Sequence, residues 1–435
     1  MKRSGKPEIV RAPSFAYRGP VGNARSAELH CEVIPLSRLA ERHGTPLYVY
    51  SSEMIRARMK AFARAFRSVP RTVCYSVKAN STLAILRLVE REGAGFDVVS
   101  GGELERVLRV KRASAPRVVF SGVGKTVSEM ELALKAGILL FNIEGSSELR
   151  VLAATASRLK KRAAIAVRVN PDVSAKTHPY ISTGLHEHKF GVPIPEAQEL
   201  YAEAVRQPYL QVSGVSVHIG SQIADVSSFA RALERVADLV RDLRGQGHDI
   251  RYVDAGGGLG ISYEETPQEF DAQIAAYAGA VLGPLRGLDV HLLLEPGRSI
   301  VGAAGLLLTR VIYRKTNNSK RFLIVDAGMN DLLRPALYGA FHEIVPVVQS
   351  SGETEVTDVV GPVCETGDFF ARGRELPVVA EGELLAILDA GAYGAVLGSN
   401  YNTRGRPAEV LVQENKARVI RQREGFRDQM RLERL

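Results

Sequence analysis

The sequence predicts an α/β fold, in which a (β/α)8 TIM barrel is joined to a second, mostly antiparallel β domain of sandwich or barrel type. Two observations support this prediction. Between about residues 45 and 297, eight short apolar runs alternate with longer amphipathic stretches, and alternating strands and helices build parallel sheets. After residue 300, apolar runs follow one another with few helical stretches between them, which is an all-β pattern.

The eight apolar runs are rich in β-branched and aromatic residues, as strands are. They cover residues 72–79, 96–100, 117–122, 139–144, 164–171, 212–221, 251–258 and 291–297. Stretches between them, such as 127–137, have a helical pattern and close on glycine, as helices often do. We therefore expect a barrel domain over residues 37–300. Residues 1–36 and 301–435 form the β domain, to which the segment 29–36 could add a strand.

Composition excludes several classes of protein. The chain has 435 residues, of which 45% are hydrophobic and 24% charged, ordinary values for a globular protein. The basic N-terminus lacks the apolar run of a signal peptide, and no window has the apolar length of a membrane span. Cys31, Cys74 and Cys364 are too few for a disulfide framework or a zinc site. We expect a cytoplasmic protein with no membrane partner.

The net charge of +9 is spread along the chain. A protein that binds nucleic acid concentrates its basic residues on one face, so we expect no nucleic acid partner and favour an anionic small substrate. His178, His186 and His188 mimic a metal site in sequence. Their spacing matches no helical pair with a third ligand, so they are predicted to be loop residues without a metal.

Polar residues and glycines gather where the predicted barrel strands end. Any one of these strand endings could have an ordinary structural explanation, such as an exposed lysine or a hydrogen-bonded histidine in the core. Five such endings together are harder to explain in that way. Because barrel active sites lie at the carboxyl ends of the strands, these endings predict the site. They are Lys78-Ala79-Asn80, Arg168-Val169-Asn170-Pro171, His218-Ile219-Gly220-Ser221, Gly256-Gly257-Gly258 and Glu295-Pro296-Gly297-Arg298.

The seventh and eighth strand ends are the usual phosphate site of this fold. Three consecutive glycines, residues 256–258, let the backbone approach an anion. A dinucleotide fingerprint would need a third glycine where Ile261 or Tyr263 stands. A lysine facing a phosphate site instead suggests pyridoxal phosphate, whose aldehyde forms a Schiff base with an amine. Glu295 could pair with the ring nitrogen, and His218 could stack on the ring.

Longer motifs resemble one family, the diaminopimelate decarboxylases. This family belongs to the ornithine, diaminopimelate and arginine decarboxylase group, which has the alanine-racemase-like fold type III of pyridoxal phosphate enzymes. The resemblance covers roughly residues 28–430. The motifs are YSVKAN at 75–80, HIGSQ at 218–222, DAGGGLG at 254–260, EPGR at 295–298, RPALYG at 334–339, CETGD at 364–368 and GAYG at 391–394.

The resemblance implies a role for each matching residue. Lys78 would carry the cofactor as an aldimine, His218 would stack on the ring, and Cys364 would protonate the substrate carbon after carbon dioxide leaves. The cofactor and its phosphate would also be held by Ser221, Gly257, Gly258, Glu295, Gly297, Arg298 and Tyr393. The substrate would be held by Arg298, Arg334, Tyr338, Glu365 and Tyr393.

The implied reaction is decarboxylation of meso-2,6-diaminopimelate to L-lysine, the last step of lysine biosynthesis. Arginines suit the far carboxylate of this substrate because a guanidinium offers a bidentate fork, and Glu365 suits the far ammonium. The resemblance also implies a homodimer with shared active sites, in which Cys364 and Glu365 enter from the partner subunit.

Other interpretations stay open on the sequence alone. The substrate could be ornithine, arginine or carboxynorspermidine, or the chain could be a racemase or a non-catalytic pyridoxal phosphate-binding regulator. Cys364 follows an apolar run and could be a small buried hydrophobe. Arg334 could form a surface salt bridge, and Tyr393 could be packing within the β domain.

Overall fold

The computed structural model describes residues 11, 13–19, 27–173, 189–262, 267–349 and 353–435. His178, His186 and His188 lie outside the described residues, as does most of the segment before residue 27. Among the helices that are described, none is both long and apolar enough to cross a membrane.

The described secondary structure alternates strands and helices up to residue 301 and consists mainly of strands beyond it. The strands are β1 (Phe15–Arg18), β2 (Glu28–Cys31), β3 (Ile34–Pro35), β4 (Leu47–Ser51), β5 (Arg71–Ser76), β6 (Gly95–Val98), β7 (Val118–Phe120), β8 (Leu140–Ile143), β9 (Ala163–Asn170), β10 (Val192–Pro193), β11 (Leu210–Val217), β12 (Tyr252–Asp254), β13 (His291–Leu294), β14 (Gly305–Asn317), β15 (Lys320–Val325), β16 (Ile344–Pro346), β17 (Thr354–Val360), β18 (Phe369–Pro377), β19 (Leu384–Ile387), β20 (Ala408–Gln413) and β21 (Lys416–Arg421). The helices are α1 (Leu36–His43), α2 (Ser52–Ala65), α3 (Leu83–Arg91), α4 (Gly101–Val110), α5 (Val127–Ala136), α6 (Ser146–Leu159), α7 (Ile194–Val205), α8 (Ser227–Gly245), α9 (Pro267–Leu282), α10 (Arg298–Val301), α11 (Arg334–Tyr338) and α12 (Phe426–Met430).

The chain forms two compact units. One comprises residues 58–261 and 268–300, and the other comprises residues 1–57, 262–267 and 301–435. The first unit begins later than the predicted barrel domain, 37–300. The reason is strand β4, which the sequence analysis placed with the barrel. Its residues pair with β14 and β20 in the sheet of the second unit.

The first unit is a closed barrel of eight parallel strands, in the order β5, β6, β7, β8, β9, β11, β12 and β13. The ring closes because β13 pairs with β5, with Leu292 opposite Arg71. Each of the eight apolar runs supplies one of these strands, so the predicted (β/α)8 barrel is confirmed.

The barrel interior is layered. An apolar layer is formed by Cys74, Val119, Leu140, Ala166 and Leu293. Side chains two residues apart on a strand share a face. The next layer of inward-facing residues, nearer the carboxyl ends of the strands, therefore lies two residues after each member of the apolar layer. There the residues are polar: Ser76, Ser121, Asn142, Arg168 and Glu295. The apolar layer therefore forms the floor beneath a polar site.

The second unit is built mainly on one sheet. Its strands follow the order β18, β17, β15, β14, β4, β20 and β21, with β19 pairing β14 and β16. The pairings are antiparallel except those of β15 with β17 and β20 with β4, so the predicted antiparallel character is confirmed. The segment 29–36 lies instead in β2 and β3, which form a separate sheet with β1.

Candidate active site

Lys78 lies just beyond strand β5, in a single 3-10 turn over Val77–Ala79. Its Nζ donates to Oδ2 of Asp97 at 2.6 Å. The Asp97 side chain is fully buried on β6, whereas that of Lys78 is 33% exposed. A buried carboxylate thus anchors an amine that a small molecule can still reach. The sequence analysis missed Asp97, although an aspartate inside an apolar run is the kind of signal that could have revealed it.

Lys78 and Asp97 belong to a larger buried polar network. Ser76 Oγ donates to Asp97 Oδ2 at 2.8 Å, and Ser121 Oγ donates to Glu295 Oε1 at 3.3 Å. Asn142 Nδ2 lies within hydrogen-bond distance of Ser121 Oγ, at 3.0 Å, and of Asp254 Oδ2, at 2.7 Å. Because these groups are shielded from water, their hydrogen bonds fix each side chain in one orientation.

Glu295 and Asp254 are both buried at the carboxyl ends of the neighbouring strands β13 and β12. Burial raises the pKa of Glu295 well above its ordinary value, and the carboxylates of Asp254 and Asp97 raise it further. Asp254 already accepts from Asn142 and from the Gly256 N–H. These two donors stabilise the charged form of Asp254. The raised pKa favours the protonated form of Glu295, the predicted cofactor-facing carboxyl.

His218 follows strand β11 and is held as a neutral imidazole. The backbone N–H of Gly257 donates to its Nδ1 at 3.1 Å, and a nitrogen that accepts a hydrogen bond cannot carry a proton. Burial lowers the pKa of His218 well below its ordinary value, and the charges of Arg168 and Lys78 lower it further. His218 therefore presents an uncharged aromatic ring near Lys78.

Arg168 is a second site residue to which sequence reasoning gave no role. Its Nη1 contacts Glu144 Oε1 at 3.0 Å, and both side chains are largely buried. The Glu144 carboxylate also accepts from the backbone N–H groups of Gly122 and Gly191, each at 3.0 Å. The guanidinium is thereby fixed beside His218, whose carbonyl oxygen lies 3.5 Å from Nη2.

The three consecutive glycines are required by close packing. A Cβ on Gly257 would lie 2.1 Å from the Glu295 carbonyl oxygen, and one on Gly258 would lie 2.2 Å from that of Gly220. Gly256 and Gly258 also have positive φ, at 66° and 106°, where glycine is favoured. The N–H of Gly256 is bonded to Asp254 and that of Gly257 to His218. Two of the three N–H groups predicted to cradle an anion are therefore engaged within the barrel itself.

The remaining predicted residues of the barrel lie around the same strand ends. Arg298 Nη2 is 3.5 Å from Ser221 Oγ. A Cβ on Gly297 would lie 3.0 Å from the Cβ atoms of Ser76 and Ala79, so Gly297 packs against the turn that carries Lys78. The barrel unit thus brings together all of its predicted residues: Lys78, His218, Ser221, Gly257, Gly258, Glu295, Gly297 and Arg298.

The donor set fits pyridoxal phosphate. The anchored amine of Lys78 suits an aldehyde, the buried carboxyl of Glu295 suits a ring nitrogen, and the neutral imidazole of His218 suits an aromatic face. The glycines at 257 and 258 keep the backbone bare at the usual phosphate site of this fold.

The second unit carries the other predicted residues. Cys364 and Glu365 are exposed, in a loop that is organised by buried Asp368. The Asp368 carboxylate accepts from the N–H groups of Met329 at 2.7 Å and Val363 at 2.6 Å. The exposed thiol excludes the alternative of a small buried hydrophobe.

Arg334 opens helix α11 and is 6% exposed, which excludes a surface salt bridge. Its guanidinium carbon lies 5.8 Å from the ring centroid of Tyr338, at the other end of that helix. Tyr393 has a positive φ of 55°, a conformation that is uncommon for a residue other than glycine. Two residues predicted for the substrate site, Arg334 and Tyr338, therefore lie close together on one short helix.

The fold and the barrel-mouth lysine together define a class, that of pyridoxal-dependent enzymes built on a barrel and a β domain. Residues 52–302 match the family described as pyridoxal-dependent decarboxylase, pyridoxal binding domain. The chain belongs to that family.

Within this class, the chain is similar to diaminopimelate decarboxylases. That of Pseudomonas aeruginosa is 52% identical over 92% of this chain and 95% of its own length. The structure of the Helicobacter pylori enzyme complexed with L-lysine has a TM-score of 0.86 and 44% identity, covering 91% of this chain and 98% of that one. The M. jannaschii enzyme in co-complex with L-lysine has a TM-score of 0.87 and 39% identity, covering 93% and 95%. The resemblance inferred from the motifs is confirmed.

Proposed function

We propose that this protein decarboxylates meso-2,6-diaminopimelate to L-lysine with pyridoxal phosphate as cofactor. The observation that carries the proposal is the reachable amine of Lys78, bonded at 2.6 Å to buried Asp97 in the barrel mouth. Diaminopimelate decarboxylases that are 44–52% identical over more than nine-tenths of the chain support the choice of substrate.

The barrel residues would hold and tune the cofactor. When bound, pyridoxal phosphate supplies an aldehyde for the substrate amine and a ring that accepts the electron pair released with carbon dioxide. Lys78 would hold the aldehyde, with Asp97 orienting its amine. Glu295 would pair with the ring nitrogen, and His218 would contact the ring as a neutral group.

Phosphate would be held at the ends of the seventh and eighth strands. Gly258 and the Gly297-Arg298 backbone would approach it, with Ser221 beside Arg298. Gly257 would contribute indirectly, because its backbone N–H donates to His218 Nδ1 and so holds that ring in place. Tyr393 would reach the cofactor phosphate and the substrate.

The substrate has an amino acid group at each end, so the far end must be recognised by charge. Arg298 and Arg334 would bind the far carboxylate, and Glu365 the far ammonium, with Tyr338 and Tyr393 completing the site. A substrate that lacks the far carboxylate would leave arginine charge unpaired, a strong source of discrimination.

Cys364 would supply the proton that the reaction consumes. The bond from the α-carbon to its carboxylate breaks, carbon dioxide leaves, and a proton from the thiol Sγ forms the new C–H bond. One proton from solvent then restores the thiol, so each turnover takes up one proton. The exposed position of Cys364 lets it reach a substrate bound on another subunit.

We further infer a homodimer in which each β domain completes the partner's barrel site. Cys364 and Glu365 are both exposed, as residues that act across a subunit boundary must be in the isolated chain. We place the reaction in the cytoplasm, because the thiols of Cys31, Cys74 and Cys364 are all free.

The first test records the visible absorbance of the purified protein before and after meso-diaminopimelate is added, with carbon dioxide measured in the same cuvette. A cofactor band that shifts while gas evolves is expected. A panel of ornithine, arginine and carboxynorspermidine should give far less gas, and equal turnover of ornithine would refute the substrate assignment.

The role of Lys78 is tested by reducing the protein with borohydride and mapping the labelled peptide. The pyridoxyl group is expected on Lys78 and should disappear in Lys78→Ala. Lys135→Ala is the matched control, because Lys135 is an exposed helix lysine paired with Glu131. A label that persists in Lys78→Ala would point to a different lysine.

A further inference from the structure

An arginine near the start of the chain forms a buried ion pair with a distant turn of the second unit. The Arg11 guanidinium binds the Asp389 carboxylate at two points: Nε donates to Oδ1 at 3.0 Å and Nη2 to Oδ2 at 2.6 Å. The Arg11 side chain is 7% exposed and that of Asp389 is fully buried. Because 378 positions separate them, the pair ties the start of the chain to the turn that precedes Tyr393.

The backbone of Arg11 is anchored at the start of strand β1. Its N–H donates to the Phe15 carbonyl oxygen at 2.8 Å, and the Phe15 N–H donates back to the Arg11 carbonyl oxygen at 2.9 Å. Phe15 is 1% exposed and pairs with Cys31 of β2. The guanidinium therefore extends from a backbone that is fixed to a sheet.

Asp389 occupies a bulge just beyond strand β19. In the ladder with β14, Ile387 lies opposite Leu307, so a regular antiparallel ladder would bring residue 389 opposite Gly305. Instead, the N–H of Ala390 donates to the Gly305 carbonyl oxygen at 2.8 Å, and one extra residue is accommodated. Asp389 has a φ of 57°, the left-handed conformation that glycine usually adopts at such a bulge.

The bulge sets the direction of the turn that carries Tyr393. After it, the Gly391 N–H donates to the Gly302 carbonyl oxygen at 3.0 Å, and a Cβ on Gly391 would lie 1.9 Å from the Val301 carbonyl oxygen. Tyr393 again has a positive φ, of 55°. Bulges redirect side chains near active sites, and left-handed conformations of residues other than glycine persist where the surroundings impose them. The placement of Tyr393 therefore depends on how firmly Asp389 is held.

Stability alone does not explain the buried pair. Removing two charges from water costs free energy that their attraction often only offsets, so a buried ion pair is weak evidence for stability. A guanidinium fork does fix the orientation of a carboxylate, because two hydrogen bonds act on it at once. An aspartate at a position that favours glycine gains an anchor that glycine lacks.

We propose that Arg11 is a positioning residue, which fixes the bulge at Asp389 and thereby places Tyr393 for the cofactor phosphate. Arg11 acts through the turn and not by contact with a ligand. This inference rests on the proposed function, because Tyr393 is assigned to the cofactor phosphate there.

Arg11→Lys tests the proposal, because it keeps the positive charge and removes the two-point fork. Titration of the cofactor-free protein with pyridoxal phosphate, followed by visible absorbance, should show binding weakened about tenfold, the worth of one hydrogen bond to a charged group. Hydrogen exchange measured by mass spectrometry, without cofactor, should be faster in the peptide that contains Ala390 and Gly391. An unchanged affinity would overturn the proposal.

Arg314→Lys is the matched control. Arg314 lies in the same unit and contacts the buried carboxylate of Glu355 at 2.7 Å, but on strand β14, away from the bulge. The same substitution there should leave the cofactor affinity and the exchange of the 390–391 peptide unchanged. Equal effects of the two substitutions would show a general loosening of the unit and refute a specific role for Arg11.

Tyr393→Phe completes a double-mutant cycle. If Arg11 acts through the Tyr393 hydroxyl, Arg11→Lys should weaken cofactor binding no further in a protein that already carries Tyr393→Phe. Fully additive losses would mean that Arg11 acts elsewhere, and would contradict the proposal.

A second variant covers the case in which Arg11→Lys does not fold. Arg11→Gln combined with Asp389→Asn leaves no unpaired charge buried, and asparagine tolerates the left-handed backbone. It should weaken cofactor binding and speed exchange in the same way. If the unaltered protein binds no pyridoxal phosphate, the proposed function fails and this inference fails with it. Unchanged exchange in a variant of a protein that does bind the cofactor would overturn this inference alone.

Discussion

Three cysteines in one chain show how environment decides the role of a residue. Cys31 and Cys74 are fully buried, and burial raises the pKa of both thiols well above the ordinary value. A thiol in such a setting behaves as a small hydrophobe. Cys364 is exposed, and its backbone N–H donates to the Asn402 side-chain oxygen at 2.9 Å. Among the three cysteines, it alone suits proton delivery to a ligand.

Replacing Cys364 tests this assignment. Cys364→Ala should lower turnover of diaminopimelate by about 10²–10⁴-fold, the usual contribution of a positioned acid, while the absorbance of bound cofactor is unchanged. Cys74→Ala is the control: it should reduce the melting temperature through a cavity but leave turnover of the folded enzyme near normal. Near-normal turnover in Cys364→Ala would remove the thiol from the mechanism.

At the residue scale, the sequence analysis identified polar side chains that end a strand and missed those that lie within one. Lys78 and Glu295 stand out because polar residues follow apolar runs. Asp97 and Asp254 occupy apolar runs as well, but their importance depends on which side chains face them across the barrel. That pairing is set by strand register, which one strand's sequence does not contain.

At the scale of elements, the turn after strand β12 depends most directly on its residue types, because its three glycines pack against neighbouring backbone. It brings the backbone at Gly257 and Gly258 against the carbonyl oxygens of Glu295 and Gly220. A neighbouring backbone atom cannot move aside as a flexible side chain can. The three glycines therefore determine how closely the ends of β11, β12 and β13 approach one another.

Gly257→Ala should demonstrate this constraint. Its Cβ would lie 2.1 Å from the Glu295 carbonyl oxygen, so we expect a loss of about 1–3 kcal/mol in the free energy of unfolding and weaker cofactor binding. Gly124→Ala is the matched control, since a Cβ there meets nothing within 4 Å. Denaturant unfolding and a cofactor titration measure both effects, and equal stability of the two variants would contradict the packing argument.

Secondary-structure elements whose own sequence has a clear hydrophobic pattern were predictable. Elements whose place depends on the strands they pair with were not. The eight barrel strands follow from apolar runs flanked by helices. Strand β4 has the same texture, with all five residues buried, yet it pairs in the other unit with β14 and β20. Strand β18 escaped prediction because its sequence, FFARGRELP, mixes charged and apolar residues, and only pairing with β17 makes it a strand.

For the molecule as a whole, the predicted functional residues fall into two sets. The barrel unit holds the cofactor set around Lys78 and Glu295, and the β unit holds Arg334, Cys364 and Glu365. Local motifs identify both sets, because each motif is short and continuous. A sequence does not state which copy of the chain supplies each set to a given site, because that depends on assembly.

The proposed sharing of sites is tested by mixing two inactive variants. Lys78→Ala lacks the proposed cofactor lysine, and Cys364→Ala lacks the proposed proton donor. If each site takes its lysine from one chain and its thiol from the other, a mixed dimer has one site with both defects and one intact site. Random exchange makes half of the dimers mixed, so turnover should recover to about a quarter of the unaltered enzyme's. The measurement is carbon dioxide release after the variants are denatured and refolded together, with each refolded alone as a control. No recovery, in mixtures shown by mass spectrometry to contain mixed dimers, would place both residues of a site in one chain.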